Sequence, residues 1–202
     1  MITIDELIKR DLYRDYRTFT DYDDYEWPTK FTPPIEVSEE NASIFMHYFC
    51  MLRNECKSIL EIGVRNNKED SFTKLLVNNK LTSTKYFGVD IDDKSFMNDK
   101  ENNVYTIQTD SSNIEEVLSF TKSHEIETFD FILIDGWPTI NQVLNDWRYI
   151  EYLSKDGIVA LHDTNFHPGP TYLVDNLNCD RYEVYKKCEQ DLDWGITFIT
   201  RR

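Results

Sequence analysis

The amino-acid sequence predicts a doubly wound α/β fold, in which helices cover both faces of a seven-stranded, mostly parallel sheet. From residue 58 onward, short apolar runs alternate with amphipathic segments, which is the pattern of parallel strands connected by helices. The connecting segments are long enough for the right-handed crossovers that such sheets use. The last two apolar runs are joined by a polar loop instead of a helix, so we expect an antiparallel strand pair at the C-terminus.

Seven runs have the length and composition of strands. In chain order they are SILEIGV (58–64), KYFGVDI (85–91), NVYTIQTD (103–110), FDFILIDG (129–136), GIVALHDT (157–164), YEVYKKC (182–188) and GITFITR (195–201). Helices are expected at 38–56, 69–78, about 93–99, 112–124, 139–154 and 170–177. In the segment 139–154, apolar residues recur on one face at helical spacing, among them Ile140, Val143, Leu144 and Trp147.

The N-terminal residues 1–37 differ from the rest of the chain and are interpreted as an extension, with the main domain at 38–202. Five aromatic residues recur at every third position of this acidic segment: Tyr13, Tyr16, Phe19, Tyr22 and Tyr25. A spacing of three places the rings on one slowly drifting face of a helix. Three roles fit such a stripe: packing on the main domain, a lid or substrate-binding segment, and a contact in a homodimer.

Charge and hydropathy disfavour several classes of partner. The 202-residue chain carries a formal net charge of -15, which would repel a phosphate backbone, so we expect no nucleic-acid partner. It has no apolar run of the length of about 18 residues that a membrane span needs, and its start is too charged for a signal peptide. We therefore expect no membrane partner and a cytoplasmic location. The four cysteines lack CxxC spacing and are expected to be reduced and mostly buried: Cys50, Cys56, Cys179 and Cys188.

Acidic side chains gather at the carboxyl ends of the predicted strands, where open α/β sheets bind their ligands. The residues at these ends are Glu61, Asp90, Asp92, Asp110, Asp135 and Asp163. Any one of them alone is consistent with a helix cap or a loop residue. Five consecutive strands that end this way bring like charges to one edge, and these repel unless a cation or a hydrogen-bonding ligand lies among them. The sequence therefore predicts a binding site at this edge.

The motifs at these strand ends resemble those of the class I S-adenosylmethionine-dependent methyltransferases, over about residues 58–201. Glu61 and Gly63 in LEIGV are similar to the first motif of that family, in which the glycine lets the backbone approach the methionine end of the cofactor. Asp90 in GVDID is placed like the acidic residue that ends the second strand, where a carboxylate can accept hydrogen bonds from both ribose hydroxyls. The resemblance implies a Rossmann-like fold and S-adenosyl-L-methionine as the cofactor.

Later motifs extend this resemblance. Asp110 and Ser111 in QTDSS match the position that contacts adenine in the family. The stretch FDFILIDG looks like the fourth motif, and its Asp135 would lie beside the reacting methyl group. Arg65 and Ile91, which neighbour the first two motifs, are assigned to the cofactor site with them.

A dinucleotide-dependent dehydrogenase is the main competing interpretation, because it too has an acidic residue at the end of its second strand. Its fingerprint GxGxxG lets a pyrophosphate lie on a helix N-terminus, but GVRNNK lacks the second and third glycines. Glu61 would also repel a pyrophosphate, whereas S-adenosylmethionine carries a sulfonium and an ammonium group and no phosphate. A positive φ at Asn66 or Asn67 would complete the tight turn without further glycines, because asparagine tolerates that conformation.

Two stretches narrow the class: LIDGWPTINQVLNDW and GIVALHDTNFHPGP. They resemble a branch of small O-methyltransferases that includes sugar and antibiotic-tailoring enzymes and is related to the catechol type, in which a divalent cation holds the acceptor hydroxyl. Carried over, the metal ligands would be Asp135, His162 and Asp163. Carboxylates suit Mg²⁺, and an imidazole among them shifts the preference toward Mn²⁺. A cation in this place would lower the pKa of the acceptor and orient its oxygen.

The general base is left open. Many relatives carry DGxH, whose histidine can act as a base, but Trp137 and Pro138 follow Asp135 and Gly136 here. The second-line candidate is His167, in the loop beyond the fifth predicted strand. The candidate catalytic residues are therefore Asp135 and His162, which the resemblance implies, together with His167.

These observations predict SN2 transfer of a methyl group to a hydroxyl of a small molecule or saccharide. Two alternatives stay open. One is a metal-independent methyltransferase in which His162 and Asp163 form a structural pair, and the other is an inactive relative that binds cofactor or a protein. The acids of the N-terminal extension disfavour an anionic acceptor, unless a metal or Arg65 compensates.

Overall fold

The computed structural model describes residues 1–13, 37–52, 55–65, 71–187 and 194–202. The helices of these residues are α1 (Ile4–Asp11), α2 (Glu39–Leu52), α3 (Phe72–Asn79), α4 (Ile114–Ser123), α5 (Ile140–Trp147) and α6 (Pro168–Asn176). The strands are β1 (Ser58–Ile62), β2 (Lys85–Asp90), β3 (Val104–Gln108), β4 (Phe129–Ile134), β5 (Leu153–His162), β6 (Tyr182–Lys187) and β7 (Ile196–Arg201). The aromatic residues of the predicted stripe from Tyr16 to Tyr25 lie outside the described residues, as does Cys188.

The strands form one seven-stranded sheet in the order β3-β2-β1-β4-β5-β7-β6. Strands β1 to β5 run parallel to one another, whereas β7 is antiparallel to both β5 and β6. This confirms the predicted fold class, including the antiparallel C-terminal pair. The strand order reverses between β1 and β4, and ligands of open α/β sheets bind at such a switch point.

Helices cover both faces of the sheet because the buried strands are apolar on both sides. Leu60 and Ile62 of β1 face one hydrophobic cluster, to which α1, α4, α5 and α6 contribute. Ile59, which precedes Leu60 in β1, faces the second cluster with Phe45 of α2 and Phe72 of α3. Because side chains alternate between the two faces of a strand, β1 contributes to the hydrophobic cores on both sides of the sheet.

The structure corrects three helical predictions. The segment 139–154 is helical only to Trp147 and then tightens into a 3₁₀ turn, Arg148–Tyr152, which is a common way for a helix to end before a strand. The segment 93–99 contains only a 3₁₀ turn, Ser95–Met97. Helix α1 was not predicted, although Thr3 and Glu6 form a capping box at its start, with the Thr3 hydroxyl and the Glu6 carboxylate each accepting a backbone N–H.

The structure also bears on the expectations about membrane-spanning segments and cysteine burial. Within the described part of the chain, no helix has the length and apolar character needed to cross a bilayer. Cys56 is buried as expected, but Cys50 and Cys179 are exposed free thiols, so the expectation of mostly buried cysteines was wrong for these two. Cys50 lies near the C-terminal end of α2, and Cys179 lies in a turn after α6.

Candidate functional site

A cavity of about 580 Å³ opens at the carboxyl ends of the parallel strands, on the edge where the acidic residues were predicted to gather. This volume is in the range of small-molecule and cofactor sites. Its wall includes a residue from each of five strand ends: Gly63, Asp90, Asp110, Asp135 and Asp163. The parallel sheet therefore brings these predicted residues to one site.

The turn after β1 needs a glycine because it approaches the end of β4 very closely. Gly63 has a φ of 86°, and a Cβ atom at this position would lie 2.2 Å from the backbone oxygen of Asp135. The backbone N–H of Gly63 donates to Val89 at 2.9 Å, and the N–H of Asp135 donates to Ile62 at 2.8 Å. The glycine thus lets the ends of β1 and β4 meet, and both residues then line the cavity.

Glu61 lies behind the wall of the cavity. It is fully buried, and one of its carboxylate oxygens accepts from the Tyr86 hydroxyl at 2.5 Å, while the other accepts from the Thr73 hydroxyl. The same Thr73 oxygen accepts from the backbone N–H of Arg65 at 3.0 Å. Burial raises the pKa of Glu61 to about 8, although both hydrogen bonds act in the opposite direction. In the described residues Glu61 therefore orders the turn between β1 and α3, and it is not on the cavity wall.

Asp90 joins the end of β2 to the turn after β1. Its Oδ2 accepts from the backbone N–H of Val64 at 2.8 Å, and its Oδ1 accepts from the N–H of Asp92 at 2.8 Å. The ammonium group of Lys94 lies 3.8 Å from Oδ2. Each carboxylate oxygen can accept a second hydrogen bond, so Asp90 keeps the capacity to bind hydroxyl groups in the cavity. Ile91, which follows it on the wall, is 73% exposed.

A polar network holds the wall beyond β3. Asp110 accepts from the backbone N–H of Ser112 at 2.8 Å, and hydrogen bonds from Ser112 lower the pKa of Asp110. The Ser111 hydroxyl donates to Oδ1 of Asp146 at 2.6 Å and accepts from Nε2 of Gln142 at 2.8 Å. The backbone oxygen of Ser111 accepts from the Tyr149 hydroxyl at 2.7 Å. Helix α5 and the turn after it therefore fix this part of the wall.

The ends of β4 and β5 bring together Asp135, His162 and Asp163. Nδ1 of His162 lies 2.7 Å from Oδ1 of Asp135 and 3.3 Å from Oδ1 of Asp163. Burial alone would lower the pKa of His162, but the two carboxylates outweigh it and raise that pKa to about 9. Asp163 has a φ of 62°, a conformation that aspartate tolerates better than most residues.

The donor set of this cluster fits a divalent cation. One ligand atom from each of the three side chains lies within 4.8 Å of the others. Neighbouring ligands of an octahedral cation with bonds of about 2.1 Å are separated by about 3 Å, close to the spacings of Nδ1 from the two carboxylates. The two carboxylates suit both Mg²⁺ and Mn²⁺, and the imidazole favours Mn²⁺ over Mg²⁺.

Comparison with known proteins bears on the fold. No protein-family model matches the chain, and no curated protein matches it in sequence. Among solved structures, MycE methyltransferase from the mycinamycin biosynthetic pathway, in complex with Mg, SAH and mycinamycin VI, matches 79% of the chain with 19% identity and a TM-score of 0.58. The match covers 48% of MycE, so the chain spans about half the length of that protein.

A second neighbour is CalS11, a TDP-rhamnose 3'-O-methyltransferase of calicheamicin biosynthesis, with 12% identity over 93% of this chain and 99% of that one, and a TM-score of 0.56. A third neighbour is an rRNA methylase from Streptococcus thermophilus, with 13% identity and a TM-score of 0.52. The match covers 77% of this chain and 94% of the methylase. The chain has the fold of these methyltransferases. At such low identity the likeness concerns the fold alone.

Within this methyltransferase fold, the predicted site residues divide into two groups. Those on the cavity wall are Gly63, Arg65, Asp90, Ile91, Asp110, Ser111, Asp135 and Asp163. The others lie behind it: Glu61, His162 and His167. His162 still reaches the wall through its contact with Asp135, and the ring of Phe72 packs against it at 5.1 Å between centroids.

His167 is not placed as a base in this methyltransferase fold. Its ring is 1% exposed and stacks on Trp194, with 5.1 Å between centroids and an interplanar angle of 5°. Burial lowers the pKa of His167 to about 4. Nε2 of His167 lies 3.8 Å from Oδ2 of Asp163, so the ring supports that carboxylate from behind.

Sequence reasoning missed Gln142 and Asp146 of α5. Gln142 lines the cavity, and Asp146 is fully buried behind it, where burial raises its pKa to about 7. The sequence carries a signal for both: they lie one helical turn apart, and Asp146 directly precedes the buried Trp147 on an otherwise apolar face. A buried carboxylate in such a place is seldom without a partner.

Proposed function

We propose that the chain is an S-adenosylmethionine-dependent O-methyltransferase that acts on a hydroxyl of a small molecule or saccharide with the help of a divalent cation. One observation carries the proposal. A single cavity joins Asp90, an acceptor suited to ribose hydroxyls, to the cluster of Asp135, His162 and Asp163, which suits a cation. Cofactor and acceptor would therefore meet at the end of β4.

The charges of the wall favour this cofactor over a dinucleotide. The described wall carries five carboxylates and two cationic side chains, Arg65 and Lys94. An excess of carboxylates repels a pyrophosphate and attracts a sulfonium and an ammonium group. In the proposed orientation, Asp90 accepts from the ribose hydroxyls, Asp110 and Ser111 adjoin the adenine, and the turn from Gly63 to Arg65 adjoins the methionine end.

The residues at the other end of the cavity would position the acceptor. A divalent cation, when bound, lowers the pKa of a hydroxyl and orients its oxygen. Asp135, His162 and Asp163 would hold that cation, and Asp135 also lines the cavity. A carboxylate of the wall would accept the hydroxyl proton, since His167 is buried behind Asp163. Rate acceleration would come mainly from holding the hydroxyl oxygen in line with the methyl group.

The acceptor is proposed to be neutral or cationic. The excess of carboxylates on the wall disfavours phosphorylated acceptors. The net charge of -15 disfavours an RNA acceptor, which is the kind of substrate named for the methylase from Streptococcus thermophilus. A saccharide or small hydroxylated metabolite meets both conditions. A cytoplasmic location and a homodimer stay predictions.

Activity after metal removal tests the proposal. Methyl transfer from S-adenosylmethionine to a panel of hydroxylated metabolites and saccharides, followed by mass spectrometry, should be lost on chelation and restored by Mg²⁺ or Mn²⁺. Transfer that continues unchanged without metal would remove the cation from the proposal.

Substitution of Asp135 tests the role of the cluster. Asp135→Ala should abolish transfer and leave the affinity for S-adenosylhomocysteine nearly intact, because Asp135 would act on the acceptor. Asp156→Ala is the matched control, since Asp156 is exposed near the start of β5, at the opposite end of that strand from the cavity. A variant that binds cofactor poorly but retains turnover would show that the roles are assigned wrongly.

One observation favours a metal-independent methyltransferase as a second candidate. Nδ1 of His162 already contacts both Asp135 and Asp163, and these carboxylates raise its pKa, which favours the imidazolium form. An imidazolium there would neutralise the carboxylates without a metal. Chelation distinguishes the two candidates. A third alternative is an inactive binding module. Such a module would bind the cofactor but transfer its methyl group to none of the hydroxylated metabolites and saccharides in the panel.

A further inference from the structure

The protein holds the side-chain amide of Gln142 through its nitrogen. Its side chain lines the wall, and its amide nitrogen Nε2 donates to Oγ of Ser111 at 2.8 Å and to Oδ1 of Asp146 at 3.0 Å. Both acceptors therefore lie on the nitrogen side of the amide. The carbonyl oxygen Oε1 is the remaining polar atom of the side chain, and it can only accept.

The buried network fixes this orientation of the amide. Asp146 is fully buried, and the Ser111 hydroxyl already donates to its Oδ1 at 2.6 Å. If the amide were flipped, Oε1 would face a carboxylate oxygen and a hydroxyl whose hydrogen is spent. Two acceptors in contact repel, and a buried amide group without a partner costs stability. The orientation is therefore set by the protein before any ligand binds.

The location of Gln142 indicates which ligand group it meets. The side chain is joined to Ser111, which adjoins the adenine in the proposed function, on which this inference rests. The exocyclic amino group of adenine has two N–H donors, whereas hypoxanthine has a carbonyl oxygen in the same place. We propose that Gln142 is a specificity residue that accepts a hydrogen bond from the adenine amino group and rejects 6-oxopurines, and that Asp146 is the residue that positions it.

The carboxylate of Asp146 is consistent with a positioning role. Its second oxygen, Oδ2, has no hydrogen-bond partner in the part of the chain that the structure describes. A Cβ atom on Gly136, a residue of the cavity wall, would lie 3.4 Å from this oxygen. A buried, half-satisfied carboxyl is costly, and such costs are found at functional sites more often than in ordinary cores.

Isothermal titration with the cofactor product S-adenosylhomocysteine and with its 6-oxopurine analogue, S-inosylhomocysteine, tests the proposal. The wild-type protein should bind S-adenosylhomocysteine about tenfold or more tightly than S-inosylhomocysteine, as expected when a buried acceptor meets another acceptor. Gln142→Leu should weaken binding of the adenosyl compound by roughly tenfold and change that of the inosyl compound little, so that the preference collapses. Asn141→Leu is the matched control, because Asn141 is exposed on the same helix and outside the cavity wall.

Asp146 variants separate positioning from folding. Asp146→Asn retains an acceptor for Ser111 and Gln142 and should keep the preference, whereas Asp146→Leu should lose it. The inference would be overturned if Gln142→Leu still preferred the adenosyl compound. If Asp110→Ala lost that preference and Gln142→Leu kept it, the discrimination would belong to Asp110. If the wild-type protein binds neither compound, the proposed function fails, and this inference with it.

Discussion

At the scale of single residues, Glu61 illustrates how a carboxyl can support a site without touching its ligand. It lies in the middle of the sheet, fully buried, with donors from Thr73 and Tyr86. Its neighbours Leu60 and Ile62 point to the opposite face, so the alternation of β1 directs Glu61 toward α3. The carboxyl therefore links the first strand, the second strand and the following helix.

The raised pKa of Glu61 predicts a pH-dependent stability. Its pKa is raised from 4.5 to about 8 by burial, so between these values the folded protein keeps a proton that the unfolded chain gives up. Stability should therefore fall as the pH rises through this window. Between about pH 5.5 and 7.5, Glu61→Gln should reduce that fall in the free energy of unfolding by about 2 kcal/mol, as measured by urea denaturation. Equal slopes for the two proteins would mean that Glu61 ionises normally in the fold.

At the scale of elements, the turn after β1 is the tightest contact around the cavity. Gly63 has a positive φ and packs against the backbone of Asp135. Gly136, also on the wall, is less restricted, since a Cβ there would meet a side-chain carbon of Ile62 at 3.3 Å. An added methyl group should therefore lower the free energy of unfolding more at Gly63 than at Gly136.

Alanine substitution of the two glycines measures this difference. Gly63→Ala should lower the free energy of unfolding by about 3 kcal/mol or more, because the positive φ and the backbone clash both oppose a side chain. Gly136→Ala should cost less than about 1 kcal/mol, because the contacting side chains can shift. Thermal and urea denaturation of the ligand-free proteins give both values. Similar losses for the two variants would contradict the assignment of the tight approach to Gly63.

Particular elements show what the sequence could and could not predict. The strand ends were predictable, because each buried strand is a short apolar run and the carboxyl ends of parallel strands share one edge. The contacts of Gln142 and Asp146 were not, because they depend on how α5 is rotated against the loop after β3. The burial of His167 was not predictable either. Its ring stacks on Trp194, which lies just before β7, and no sequence pattern links these two residues. The predicted positive φ at Asn66 or Asn67 lies outside the described residues.

At the scale of the whole molecule, the N-terminal helix is tied to the main domain. Leu7 and Ile8 of α1 belong to the same hydrophobic cluster as α5. Asp11, at the end of α1, is fully buried and accepts from the indole N–H of Trp147 at 3.2 Å and from Arg10 at 2.6 Å. The part of the extension that forms α1 thus packs on the rest of the chain, whereas the predicted aromatic stripe, apart from Tyr13, lies outside the described residues.

Removal of the Asp11 carboxylate tests this connection. Asp11→Ala should lower the free energy of unfolding by about 3 kcal/mol, because it leaves the buried indole N–H without its acceptor and removes two of the hydrogen bonds of the Arg10 guanidinium. Glu151→Ala is the control, since Glu151 pairs with the same Arg10 in a half-exposed position and should cost less than about 1 kcal/mol. If Asp11→Ala is no more destabilising than Glu151→Ala, α1 does not depend on this network.

The central claim is that the cavity at the switch point of the sheet binds S-adenosylmethionine. Isothermal titration of the wild-type protein with S-adenosylhomocysteine and, separately, with NADH tests it most directly. The excess of carboxylates on the wall predicts no binding of NADH, and the proposed contacts of Asp90, Asp110 and Ser111 with ribose and adenine predict binding of S-adenosylhomocysteine. Binding of NADH, or no binding of S-adenosylhomocysteine at several hundred micromolar, would contradict the claim.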